Sequence, residues 1–373
     1  MNIGFEAKRV FHNKTGLGNY SRDLIRLLSQ YSPKNNYFLY NPKPSDSKLF
    51  EANNTNVFEK KPASSFYTKF YNLWRQKGVV KDLTKDGVTI FHGLSGEIPR
   101  GLSANNIKSV VTIHDLIFVR YPHLYSFFDR KIHFYKFKKA THEADLVIAI
   151  SEQTKNDIVE FLKIDPSKIK VIYQGCHPAF KKEFSEDEYK KVITKFNLPK
   201  QFILNVGTIE TRKNILLAVK AIKNIDTYLV IVGKETAYTN EIKNYISEHH
   251  LENKVIFLKG LSLQELAILY KLAKVFVYPS LYEGFGIPII EALYSKTPVI
   301  TTSGGVFPEA GGPNSVYVNT TSVDEMEKAI LKLLQNDDLR EEITRKGFEF
   351  VQKFNDEVIV KQLMNTYNNL LNL

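Results

Sequence analysis

Sulfur is scarce in this chain: one cysteine and three methionines among 373 residues, beside a single tryptophan. One cysteine, Cys176, excludes an internal disulfide and any Cys-rich zinc site. No run approaches the ~18 apolar residues of a membrane span. The opening MNIGFEAKRVF has no apolar h-region, so no secretory signal is expected and a reducing, cytoplasmic setting is. No Asp-x-Asp triad closes an apolar run; Asp337 and Asp338 fall in a polar helical stretch. Carboxylates placed to hold a divalent cation on a diphosphate are therefore missing. What is present is globular in kind, with 43% hydrophobic and 24% charged residues, which excludes wholesale disorder. The chain exceeds the roughly 250–300 residues at which one core stops growing, so two domains are expected.

The charge is lopsided. Residues 1–195 hold 32 Lys and Arg against 20 Asp and Glu, a balance of +12; residues 196–373 hold 19 against 20, a balance of −1. Six cations and no acid lie between Lys60 and Lys81, interleaved with Phe66, Tyr67, Phe70, Tyr71 and Trp74 at helical spacing. The pattern returns in FFDRKIHFYKFKK, residues 127–139, where Asp129 is the single acid. Basic, aromatic, amphipathic helices suit an anionic membrane surface. They also suit single-stranded nucleic acid, or a core-facing stripe backed by solvated lysines. The near-neutral second half argues against a nucleic-acid partner.

Short apolar runs alternate with helical patterns along the whole chain. Residues 2–5, 37–40, 89–92, 109–114, 146–150 and 170–173 read as strands of a first half, and 202–206, 228–232, 255–258, 275–278, 299–301 and 316–318 as strands of a second. Strands alternating with crossover helices make parallel sheets. The expected fold is α/β, with two Rossmann-like, doubly wound parallel-sheet domains facing an interdomain cleft. Residues 1–175 form the first domain, 176–200 a charged linker and 201–353 the second. The last segment reads as a helix with Val358, Leu363, Tyr367 and Leu370 on one side.

Doubly wound sheets bind ligands beyond the carboxyl ends of their strands, and the unusual residues fall in such loops. Gly16 and Gly18 flank Leu17 before the first long helix, where backbone amides and the helix start favour an anion. His114 and Asp115 end a strand, and an imidazole there can bond a sugar hydroxyl or a phosphate oxygen. The run NVGTIETRKN ends a strand at Gly207 and sets Arg212 and Lys213 at the start of the next helix. Cations normally favour helix C-termini; two at an N-terminal turn ask for an anion, which Arg grips as a fork and Lys as a point charge. In VFVYPSLYEGFGIPIIEA, a strand runs into a loop with Gly284 and Gly286, and Glu283 and Glu291 stand eight residues apart. Glu291 is expected in the first turn of the following helix, and both carboxylates suit ligand hydroxyls.

The string EGFGIPIIE resembles the Glu-x7-Glu motif of GT-B glycosyltransferases of family 4, in particular bacterial polysaccharide and lipopolysaccharide mannosyltransferases. The resemblance runs from about Gly16 to Glu309 and takes in the glycine loop, His114-Asp115, AISEQTKNDI, GTIETRKN and SGGVFPE. It implies an acceptor held by the first domain, a nucleoside diphosphate sugar held by the second, and a final helix, 354–373, crossing back to the first. It implies retention of anomeric configuration without a metal or other cofactor, the donor being a GDP- or UDP-sugar. On this likeness Arg212 and Lys213 neutralise the departing diphosphate, with amides around Gly16 and Gly18 assisting. Glu291 takes the ribose hydroxyls. Glu283 takes the donor sugar, which amides near Gly284, Phe285 and Gly286 help to place. His114 lies near the reacting carbon, and Lys259-Gly260-Leu261 lines the base pocket. The acceptor is expected to be a glycan or lipid-linked glycan, met peripherally at the inner face of the cytoplasmic membrane. A nucleotide-sugar epimerase of the same architecture and a non-catalytic carbohydrate-binding scaffold are the alternatives.

Overall fold

The computed structural model describes residues 1–43, 49–52 and 54–372. The chain divides into two compact units, Met1–Gly175 with Asp356–Leu373, and Cys176–Asn355.

The first unit is built on seven strands: β1 (Asn2–Glu6), β2 (Asn36–Tyr40), β3 (Val57–Lys60), β4 (Ile90–Gly93), β5 (Lys108–Ile113), β6 (Leu146–Ala149) and β7 (Ile169–Val171). They lie in the order β3-β2-β1-β4-β5-β6-β7, and every pairing is parallel. Central strands read as unbroken apolar runs because helices cover both faces of a parallel sheet. Strand β3 departs from the sequence reading, which has only six strands here. Its residues VFEK hold only two apolar side chains, buried Val57 and exposed Phe58, at the sheet edge, so no apolar run marks them. Helix Gly16–Tyr31 turns Leu24, Ile25, Leu27 and Leu28 onto the sheet.

The closing helix, Asp356–Asn372, packs in this same core through Ile359, Val360, Leu363, Tyr367 and Leu370. Full burial of an aliphatic side chain of this size contributes about 1.5–3 kcal/mol. Val358 stays exposed, because the helical position four before Leu363 is Ile359. The Tyr367 hydroxyl meets His92 Nδ1 at 2.6 Å, and His92 Nε2 meets Thr112 Oγ1 at 2.7 Å, so a buried polar chain ties the helix to β4 and β5. Leu373 lies outside the described residues.

The second unit has six strands: β8 (Phe202–Val206), β9 (Tyr228–Val232), β10 (Val255–Leu258), β11 (Val275–Tyr278), β12 (Val299–Thr302) and β13 (Val316–Val318). Their order is β10-β9-β8-β11-β12-β13, again wholly parallel. The segment 176–200 is no linker. Helix Glu186–Phe196 starts with a Ser185/Glu188 capping box and buries Val192, and Phe180 is fully buried edge-on to Tyr270 at 5.5 Å. Its surface charge, which suggested a linker, is the solvated side of an amphipathic helix. Phe354 and Asn355 also belong to this unit, which therefore runs two residues beyond the expected end at 353.

Candidate active site

The strand order reverses direction between β8 and β11, and open α/β sheets bind ligands beyond the strand ends at that point. Two loops leave the sheet there. One follows β8 from Gly207, whose amide donates to the Val232 carbonyl at 2.9 Å, and passes through a short turn, Thr211–Lys213. Asn214 then adopts a left-handed conformation, and helix Ile215–Ala221 begins after it. Arg212 and Lys213 thus precede the helix rather than occupying its first turn. The second loop follows β11 and ends at Gly286, whose φ of +108° is a backbone state that favours glycine. A backbone bond from the Leu281 amide to the Arg212 carbonyl, 2.9 Å, holds the loops together.

Three of the expected site residues converge in this place. Glu283 Oε1 accepts from Lys213 Nζ at 2.5 Å and lies 2.9 Å from Arg212 Nη1. The same lysine donates to the Tyr278 hydroxyl at 2.6 Å, and that hydroxyl donates to Glu283 Oε1 at 3.0 Å. Arg212 also donates to the Tyr282 carbonyl and to Glu210, both at 2.5 Å. Burial alone would push the Glu283 carboxyl up, but Lys213 and Arg212 outweigh it and hold it at about 2. Burial lowers the Lys213 ammonium against the opposing pull of Glu283. The folded value of Glu283 is thus depressed from the ordinary 4.5, so its contribution to stability is whole above that value and is lost as the pH falls toward 2.

Glu291 has the opposite character. Helix Ile287–Tyr294 begins four residues before it, so Glu291 lies beyond the first turn where the sequence puts it. Its Oε2 accepts from the Tyr270 hydroxyl at 3.0 Å. Burial pushes its pKa up to about 7, the hydroxyl only partly countering. A raised carboxyl pKa favours folding below the unfolded value, and that advantage drains away as the pH climbs from 4.5 to 7. Glu291→Gln is therefore expected to stabilise the protein by about 1–2 kcal/mol at about pH 8 and to change little at about pH 5. Thermal melting at the two pH values checks this; equal effects at both would show that burial does not strain the carboxylate.

The sequence reading omitted Tyr270 and Tyr278, each of which holds one glutamate of the pair. Phe276 links them, with ring centroids 5.1 Å and 5.7 Å from the two tyrosines. Their signal was a tyrosine hydroxyl inside an apolar strand or helix, which needs a partner once buried. The Phe285 side chain is buried against Phe354 at 5.2 Å and serves packing. Gly284 lies in the loop between Glu283 and Phe285, and Gly260, just after β10, takes a φ of +74° beside half-buried Leu261.

Gly16, Gly18 and His114 belong to the first unit. Gly16 opens helix Gly16–Tyr31, while the Gly18 amide already donates to the Thr15 carbonyl at 2.9 Å. A Cβ at Gly18 would meet the Asn13 carbonyl oxygen at 2.0 Å, a close approach that requires glycine there. Tyr20, from the same helix, stands edge-on to His114 at 4.6 Å. Both His114 nitrogens are engaged: Nε2 donates to the Leu94 carbonyl at 2.8 Å, which leaves Nδ1 to accept from the Gln174 amide at 3.1 Å. Burial lowers its pKa to about 4, so it is neutral through the physiological range. Asp115 Oδ1 accepts from the Ile117 amide at 3.1 Å.

Two doubly wound parallel units, the second carrying an Arg–Lys–Glu cluster at its switch point, are the architecture of the GT-B fold. Residues 15–180 match the family described as Glycosyltransferase Family 4, and residues 186–350 the family Glycosyl transferases group 1. Over 390 aligned residues the chain is 26% identical to the O-antigen chain mannosyltransferase B of Escherichia coli, covering 98% of this chain and 99% of that one. It is 33% identical over 231 residues to the O-antigen chain mannosyltransferase RfbU of Salmonella typhimurium, covering 61% of each. Among solved structures, Anabaena HepE in complex with UDP shares the fold, with a TM-score of 0.76, 17% identity and 99% of both chains covered. The chain belongs to the family 4 glycosyltransferases of the GT-B fold and is an enzyme of that class.

Proposed function

We propose that the protein is a retaining, metal-independent hexosyltransferase. It moves a mannosyl group from a GDP- or UDP-sugar to a glycan or lipid-linked acceptor in cell-surface polysaccharide synthesis. The observation that carries this reading is the pair Arg212 and Lys213 at the switch point of the second unit, bridged by one shared carboxylate, Glu283, that an incoming diphosphate can replace while Glu210 still holds Arg212. A departing nucleoside diphosphate develops negative charge, and preorganised cations in a water-poor site stabilise it as it forms. Glu283, once exchanged off the cations, takes the donor sugar's hydroxyls; Glu291, as acceptor, takes those of the ribose. The mannosyl preference rests on the relatives named above, and the nucleotide on the UDP in Anabaena HepE. The first unit, with its basic excess, takes an acceptor that is anionic or linked to a lipid diphosphate, at the inner face of the cytoplasmic membrane. Among the described residues no helix is long and apolar enough to cross a membrane.

A donor panel tests the reading. The expected result is thermal stabilisation by GDP- or UDP-mannose, transfer to a glycan acceptor that excess EDTA leaves intact, and a product anomer matching the donor. Donor turnover without acceptor would make the protein an epimerase, and binding without turnover a scaffold. Loss of transfer in EDTA, restored by Mg²⁺ or Mn²⁺, would overturn the metal-free mechanism.

A further inference from the structure

Helix Phe127–Glu143 presents two different faces. Its inner side, with Phe134, Phe137 and Ala140, packs on the core beside β5 and β6. Its outer side carries Phe128, Ile132 and Tyr135 at i, i+4 and i+7, a single stripe, with 76%, 53% and 65% of their surfaces exposed. Phe127 flanks the stripe with 55% exposed, and the Lys131 ammonium sits 4.9 Å from its ring centre. Lys131 and Lys138 line that flank and Lys136 the other. Asp129 is occupied by the Ser126 hydroxyl at 2.7 Å.

The second basic and aromatic stretch adjoins the first. Glu97 bonds Lys136 of the helix at 3.1 Å and Arg75 of the segment Trp74–Gly78 at 3.0 Å, so one acid ties the two together. Trp74 is core, with its indole N–H on Asp82 at 2.6 Å, which corrects the expectation of one continuous aromatic face. Phe66, Phe70 and Leu73 remain exposed. Lone exposed apolar residues are ordinary; a contiguous group rimmed by cations marks an interaction surface.

We propose that the outer face of helix Phe127–Glu143, joined through Glu97 to the exposed side of Ser65–Leu73, is the surface by which this protein docks on anionic phospholipid. The proposal deepens the membrane placement above and rests on that reading for the identity of the surface. Aromatic and aliphatic side chains enter the headgroup boundary while lysines stay at the phosphate level. Basic residues near such a surface are drawn to it over about a Debye length. Nucleic acid would reward stacking aromatics; Ile132, Leu73 and half-exposed Leu124 stack on nothing and favour lipid.

The test is co-sedimentation of the full chain with phosphatidylcholine vesicles, with and without phosphatidylglycerol. Binding is expected only to the anionic vesicles and is expected to fall away at high salt. The triple variant Phe128→Ser, Ile132→Ser, Tyr135→Ser and the pair Lys131→Glu, Lys138→Glu should each lower binding about tenfold. Both should melt like the wild type and glycosylate a water-soluble acceptor at the wild-type rate. Undiminished binding by the variants, or none by the wild type, would refute the surface. So would a wild-type dimer that the triple variant dissociates, which would make a second copy the occupant, or equal affinity for a single-stranded oligonucleotide. Vesicle binding without sugar transfer would sink the proposed reaction and leave the surface standing; transfer without vesicle binding would do the reverse.

Discussion

Arg212→Ala should lower turnover about 10²–10³-fold, equivalent to ~3–4 kcal/mol of transition-state stabilisation, while the protein remains folded. The expectation comes from the geometry. Arg212 is anchored by the Tyr282 carbonyl and by Glu210, so its guanidinium is fixed before any donor arrives. A preset cation costs no reorganisation when the phosphate oxygen gains charge, whereas water would have to turn. The fold survives because Lys213 still neutralises Glu283. Arg212→Lys should recover only part of the loss, since a point charge cannot hold the carbonyl, Glu210 and a phosphate at once. The measurement is kcat with donor saturating, beside a melting curve. A kcat within a few-fold of wild type in the alanine variant would remove Arg212 from leaving-group stabilisation.

Much of this site was legible in the sequence because its parts are local. Buried parallel strands read as apolar runs, so Gly207, Arg212 and Lys213 fell after β8, and Glu283 after β11. The switch point then follows from strand order alone. The partners of these residues were not legible. Nothing in the spacing of Lys213 and Glu283 says that they meet, because contacts across 70 residues depend on how two loops fold over one sheet edge. The partners of His114 are likewise not legible: a histidine at a strand end looks available until Leu94 and Gln174, 20 and 60 residues away, are seen to occupy both nitrogens. Strand β3 escaped because an edge strand needs no apolar run, and the linker because a helix with one buried valine is charged over most of its surface.

Glu283→Ala should separate two quantities that usually fall together, weakening the enzyme while tightening its grip on nucleoside diphosphate. In the donor-free protein this one carboxylate lies against both cations, and its side chain and that of Lys213 are each only 12% exposed. Removing one member of a buried ionic group leaves the others uncompensated, at a cost of about 3–5 kcal/mol. The variant should therefore melt early without ligand. A diphosphate brings the missing negative charge and no longer has Glu283 to displace, so GDP or UDP should bind about tenfold tighter than to wild type and restore a large share of the lost stability. Turnover should nevertheless fall by at least about 10²-fold, because the sugar has lost the carboxylate that orients it. Titration calorimetry with the nucleoside diphosphate, melting curves with and without it, and kcat under saturating donor read the three quantities separately. Weaker diphosphate binding in the variant would mean that Glu283 and the phosphates act on the cations together. The exchange of one anion for the other, on which the proposed use of this site depends, would then be wrong.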